Sequence, residues 1–225
     1  MNKKNTLLTV MKKALRTDWP LLLLIIFSLA LGFYVYPMLP DQVPSHWNFR
    51  GDVDGYSSRT WGAFGIPLMI LGFYFLFVVL PLIDPKKENY LKFTRTYAIL
   101  KYALTVFFFL LYLATIGVSL GYPVNINRLV PMSIAILFVI LGNYMSTIRH
   151  NYFMGIKTPW TLANEKVWTK THRLGGKLWV FSGIIGFIAQ IISPGVGSIL
   201  TLVLVIGSAF FAMAYSWWYY QKIVR

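Results

Sequence analysis

Residues 62–83 read GAFGIPLMILGFYFLFVVLPLI, an apolar run without a charged side chain. A helix rises about 1.5 Å per residue, so such a run reaches across the roughly 30 Å hydrocarbon core of a bilayer. Working outward, comparable runs lie near 19–37, 97–120, 129–148, 177–192 and 196–220, which makes six expected spans. Ser193, Pro194, Gly195, Val196 and Gly197 separate the last two as the turn of a helical hairpin. The first run is too long for a secretory signal. It closes on Tyr34, Tyr36, Pro37 and Met38 instead of a small-residue cleavage site, so it reads as a retained span.

The composition agrees. The chain is 57% hydrophobic, 17% aromatic and only 12% charged, with a mean hydropathy of +0.60, outside the range of soluble domains. A net charge of +14 would suggest nucleic acid in a soluble protein, but here the basic residues occupy alternate loops. One set comprises Lys3, Lys4, Lys12, Lys13 and Arg16, then Lys86, Lys87, Lys92, Arg95 and Lys101. It continues through Arg149, Lys157, Lys166, Lys170, Arg173 and Lys177 to Lys222 and Arg225. The other loops hold Arg50, Arg59 and Arg128. This bias puts both termini in the cytoplasm, and no direct nucleic-acid partner is expected. The absence of cysteine excludes disulfides, thiolate metal sites, a Cys nucleophile and S-palmitoylation.

The expected fold class is therefore all-α, a polytopic membrane helical bundle. Residues 1–95 form a two-span unit with an extracytoplasmic loop at 38–60, and residues 96–225 form a four-span unit with a cytoplasmic loop at 143–177. No ionisable residue falls near the centre of a span, which argues against an ion-coupled pump. Asp18 and Lys101 lie near span ends, while Asn143, Gln190 and Ser208 are the main polar groups inside. A small channel or transporter lined by neutral groups stays open as an alternative.

Two polar segments remain. In the outer one, Pro40 and Pro44 restrict the backbone and Asp54-Gly55 signals a turn, so an ordered hairpin is expected. His46 lacks a second histidine, and Asp52-Val53-Asp54-Gly55 lacks the remaining ligands of a calcium loop, so no metal is expected. In the inner one, Thr158 or Thr161 can cap a helix starting near Leu162. Leu162, Val167, Trp168, Thr171 and Leu174 share one face of that helix. This predicts an amphipathic helix at the headgroup level, anchored by Trp160 and Trp168. Glu165, Trp168 and His172 are neighbours at helical spacing. No zinc-protease, nucleophile-elbow or phosphate-loop motif accompanies them, so neither an enzyme nor a cofactor is expected.

Gly142-Asn143-Tyr144, the run from Asn151 to Leu162, Val167-Trp168 and Thr171-His172-Arg173 together resemble the signature of the bacterial SdpI family of membrane immunity proteins. Lys157 stands where Arg is the commoner residue. The stretch from Leu39-Pro40 through His46, Asn48, Gly51 and Asp54 is similar to a membrane-associated domain of unknown function that often precedes it. The resemblance implies a multi-pass protein of the bacterial cytoplasmic membrane that confers self-resistance to a secreted peptide or protein toxin. It also implies toxin sensing through membrane capture of a cytosolic transcriptional repressor. The functional residues it implies inside are Asn143, Asn151, Gly155, Lys157, Thr158, Pro159, Trp160, Thr161, Glu165, Trp168, Thr171, His172 and Arg173. Outside, Pro40, Pro44, His46, Asn48, Gly51 and Asp54 would meet the toxin.

Overall fold

The computed structural model describes residues 17–48 and 51–224; the basic residues up to Arg16, together with Arg50 and Arg225, lie outside this range. The elements are α1 (Trp19–Val35, extended by a 3-10 turn at Tyr36–Met38), β1 (Gln42–Trp47), β2 (Val53–Ser58) and α2 (Arg59–Ile83). A 3-10 turn at Lys87–Lys92 leads to α3 (Thr94–Ser119), α4 (Ile126–Met145), α5 (Pro159–Ala163), α6 (Glu165–Ile192) and α7 (Pro194–Val224). All but α5 among these helices are long and apolar enough to cross a membrane, giving six spans among the described residues. Phe33 and Ile192 are 72% and 79% exposed, as are many large apolar side chains to a lesser degree. In water such a surface drives association; in a bilayer it is the ordinary exterior of a helical bundle.

The chain forms two compact units, and α3 contributes to both. The first holds α1, the hairpin, α2 and the later turns of α3. Its hairpin is antiparallel, with Gln42 opposite Ser58 and Val43 opposite Ser57. Val43 is fully buried with Val35, Leu39, Ala63, Tyr112 and Ile116. Gly62 makes that burial possible, because a Cβ there would lie 2.6 Å from the Val43 side chain. Asp41 fastens the base of the hairpin, accepting from Arg59 through its carboxylate at 2.8 Å and its carbonyl at 3.0 Å.

Asp54-Gly55, expected as the turn, instead lies inside β2, and the chain reverses between Asn48 and Asp52. Gly51 takes the left-handed φ of 84° that the reversal needs. The Asn48 side chain accepts from the Asp52 amide at 3.1 Å. Gly55 serves another purpose: it faces His46, whose Cβ would be 2.9 Å from a Cβ at position 55.

In the second unit, α6 and α7 form the expected helical hairpin, broken at Ser193 (φ −150°, ψ 104°) with Pro194 opening α7. In the amide orientation that satisfies both its ends, Gln190 donates to the Pro194 carbonyl and accepts from the Ser198 hydroxyl. Further along the hairpin, Ser182 donates to the Leu204 carbonyl at 3.2 Å. The amphipathic stretch is present but is not a separate helix: it forms the first turns of α6, continuous with the fifth span.

Gly142 on α4 and Gly176 on α6 lie back to back, each so close that a Cβ would sit 2.6 Å from the other's carbonyl oxygen. Gly142→Ala and Gly176→Ala should therefore each destabilise the protein by about 1–3 kcal/mol, because rigid backbone must move apart. Gly72→Ala and Gly207→Ala, where a Cβ meets nothing within 4 Å, should leave the thermal midpoint in detergent unchanged or raise it.

Candidate functional site in the cytoplasmic loop

Between α4 and α6 the chain runs through largely irregular backbone, whose amides and carbonyls need partners outside a helical ladder. Asn151, fully buried, supplies several of them. Its Oδ1 accepts from the Phe153 amide at 2.9 Å and the Met154 amide at 2.6 Å. Its Nδ2 donates to the carbonyls of Arg149 at 2.8 Å and Met154 at 3.1 Å. Asp84, just past α2 and only 2% exposed, supplies another. Its carboxylate accepts from the Lys86 amide at 2.7 Å, the Tyr90 hydroxyl at 3.0 Å and the Tyr152 amide at 3.0 Å. Burial, and then the bond to Asp84, push the Tyr90 hydroxyl well above its ordinary pKa, so Tyr90 stays a donor.

His172 is also fully buried. Its Nδ1 lies 2.8 Å from the Trp168 carbonyl, so that nitrogen carries the proton and donates. Nε2 is then free to accept from the Ile156 amide at 3.0 Å. A neutral imidazole satisfies both contacts. Gly155 makes the approach possible twice over: its φ of 104° suits glycine, and a Cβ there would collide with His172 Nε2.

Trp168, 1% exposed, lies in a stack rather than at the headgroups as the sequence suggested. His172 lies against one side at 4.0 Å between ring centroids and His150 is at 5.0 Å. The indole Nε1 donates to the Ile148 carbonyl at 2.9 Å, and the rings pack with Tyr90, Phe93 and Leu100. The indole is drawn away from the lipid boundary because both imidazoles and this apolar cluster pack against it. His150 is in turn held by Lys86, whose Nζ is 2.8 Å from Nδ1. Burial, and then the charge of Lys86, hold His150 below its ordinary pKa.

The next turn is built by threonines. Thr158 caps α5 by accepting from the Thr161 amide at 3.1 Å, while the Thr161 hydroxyl accepts from the Thr158 amide at 2.8 Å. Ser216 of α7 already donates to the Met213 carbonyl, so its 2.9 Å contact with Thr158 is one it accepts. α6 has its own cap, Asn164, which accepts from the amides of Lys166 and Val167.

The signature thus divides by orientation. Asn151, Thr158, Thr161, Trp168, Thr171 and His172 point inward, with the Thr171 hydroxyl lacking a partner among the described residues. Asn143, Lys157, Pro159, Glu165 and Arg173 are exposed, and Trp160 is half-buried. His172 and Glu165 do not come together: both ring nitrogens of His172 are committed to backbone groups, while Glu165 faces outward. Asn143 on the surface of α4 and Gln190 beside Ser198 do not meet either. On the outer hairpin, Pro40, His46 and Asp54 are exposed and Pro44, Asn48 and Gly51 partly so; His46 Nδ1 pairs with Asp54. Among the described residues, no cluster of three or more His, Asp or Glu could hold a metal ion.

Reading the sequence missed Asp84, Lys86, Tyr90 and His150. The available signal was Asp84 itself, an acid directly after an apolar run in a chain with seven Asp and Glu in all.

Six spans and a cytoplasmic loop folded on its own buried polar side chains define a multi-pass cell-membrane protein. The SdpI/YfhL protein family matches residues 147–216, a segment that contains both partners of the Thr158–Ser216 contact. A domain of unknown function, DUF1648, matches residues 23–71, which include the outer hairpin. The immunity protein SdpI of Bacillus subtilis (strain 168) is 28% identical over 205 residues, covering 90% of this chain and 95% of that protein. The family match and this relative together support an SdpI-family assignment. No solved structure matches it.

Asn151→Asp replaces two donations with an acceptor facing two carbonyls, and should destabilise the protein by about 2–4 kcal/mol, read as a loss of folded protein in detergent. Gly155→Ala should do at least as much harm, through both φ and the His172 contact.

A pH effect follows from His150. When unfolded it takes up a proton near its ordinary value of about 6.5, whereas in the fold it resists. Between those two values the unfolded state binds more protons, so this contribution is complete above about pH 6.5 and declines as the pH falls toward the folded value. The thermal midpoint should fall from pH 7.5 to pH 5, and less steeply in His150→Gln.

Proposed function

We propose that this chain is a membrane immunity protein that protects the cytoplasmic membrane of the cell producing it against a secreted toxin. The observation that carries this reading is its similarity to an immunity protein across 90% of its own length and 95% of the relative's. That extent includes both polar segments, not the apolar spans alone.

In this reading the unit that carries the outer hairpin receives and the unit that carries the cytoplasmic loop responds. The outer hairpin offers Tyr56, His46 and Asp54 on a base pinned by Val43 and Asp41, a surface suited to meeting a toxin. The cytoplasmic loop offers Lys157, Glu165 and Arg173 from a rigid interior, a surface suited to capturing a cytosolic transcriptional repressor.

Expression in a sensitive bacterium challenged with a panel of secreted antibacterial peptides and proteins tests the proposal. Survival should rise with at least one toxin, and no gain across the panel would overturn it. The orientation of each side chain sharpens the test. Tyr56→Ala and the double variant Lys157→Gln with Arg173→Gln change exposed groups and should lower protection or signalling at unchanged membrane abundance. Trp168→Ala removes a buried indole and should lower abundance as well, by an effect of about 3–5 kcal/mol.

A further inference from the structure

Beyond its cap, α6 exposes Lys166, Lys170, Arg173 and Lys177, a basic stripe at helical spacing opposite buried Val167, Thr171 and His172. Beside the start of this stripe, where α6 meets the end of α7, a cavity of about 700 Å³ opens. Lys166 and Lys170 line it from α6, and Tyr219 and Ile223 line it from α7. Glu165 is the acidic side chain among its lining residues. The amides of the first turn are already taken by Asn164, so any ligand here is met by side chains rather than by a bare helix end.

The register of the α6–α7 hairpin sets the depth of the cavity. Gln190 bonds Ser198, Ser182 bonds the Leu204 carbonyl, and a Cβ on Gly175 would touch Ala212. Continued to the cytoplasmic end, this register brings Lys170 level with Trp217 and Trp218, both half exposed. Aromatic side chains of this kind collect where hydrocarbon gives way to headgroups, and the charge bias makes this the cytoplasmic boundary. The cavity therefore opens at headgroup level, with a cationic side and an apolar side.

We propose that this cavity binds one anionic phospholipid of the cytoplasmic leaflet. The ammonium groups of Lys166 and Lys170 take the phosphate, and Tyr219 and Ile223 take the glycerol and the first acyl methylenes. The apolar half favours a lipid over a free phosphate, which would use the lysine pair alone. Two ammonium groups against a single carboxylate give the sign of charge such a headgroup needs.

The full-length protein, reconstituted in phosphatidylcholine and phosphatidylglycerol and then stripped by detergent, should retain phosphatidylglycerol in preference when examined by native mass spectrometry. The double variant Lys166→Gln with Lys170→Gln should retain it about tenfold less well or worse. Replacing both residues by Arg should restore retention. Lys87→Gln with Lys92→Gln removes the same charge from another loop and should leave retention intact. Glycerol phosphate should not displace the lipid. Equal retention of both lipids, equal losses in the two glutamine variants, or displacement by glycerol phosphate would each overturn the proposal. Since the altered lysines are exposed, all variants should keep the parent's thermal midpoint.

Discussion

Irregular backbone at the end of a membrane bundle has to find hydrogen-bond partners that no helical ladder provides, and water reaches it poorly once aromatic side chains close over it. Asn151, Asp84 and His172 meet that requirement here. Asn151 binds the turn on both its donor and acceptor sides, Asp84 ties the turn to the segment after α2, and His172 receives the Ile156 amide where the turn meets α6. The rest of the loop follows from these bonds. Gly155 must be glycine because His172 comes so close, and Thr158 can cap α5 and reach Ser216 because Ile156 is already held.

The same contacts decide how charge is distributed. Both loop imidazoles have an acceptor nitrogen in use: on His172 toward an amide, on His150 toward the Lys86 ammonium. These bonds require neutral rings, so the interior of a strongly basic loop gains no further positive charge. The cationic side chains Lys157, Lys166, Lys170 and Arg173 stay at its surface, facing water or headgroups. An interior held by buried hydrogen bonds and neutral imidazoles, beneath a cationic exterior, suits a protein that has to present groups from a fixed position beside an anionic membrane surface.

The outer hairpin solves a smaller version of this problem. Two strands alone are marginal in water, and this pair depends on the single apolar plug of Val43 and on the Arg59–Asp41 contact at its base. Its polar tip can therefore vary in what it presents while its foot stays in place. The exposed contact between His46 and Asp54 belongs to that tip and contributes little to stability, as expected for a polar side-chain pair open to solvent.

Hydropathy and charge are properties of consecutive residues, so the spans, their orientation, the polar loops and the hairpin break at Ser193 could be read directly from the chain. An apolar run of about 20 residues has one favourable place in a bilayer, and lysines flanking it have one favourable side. A threonine cap near position 158 was legible for the same reason, but not its helix: Thr158 caps only the short α5, and Asn164, not Thr158 or Thr161, caps the helix that carries the amphipathic face. The inward or outward direction of each loop residue was not. Lys86 and His150 are 64 residues apart, and nothing local in either announces the other. Trp168 has the composition of an interfacial anchor and becomes a core residue only because two histidines from different segments close on it. Asp54-Gly55 has the composition of a turn and becomes strand because the reversal is set by Asn48 and Gly51, leaving Gly55 to make room for His46. Sequence alone determined which segments enter the membrane, because transfer from water to lipid depends on composition. Tertiary structure alone decided which polar groups are buried, because each of those groups is stable only beside a partner that the fold brings from elsewhere.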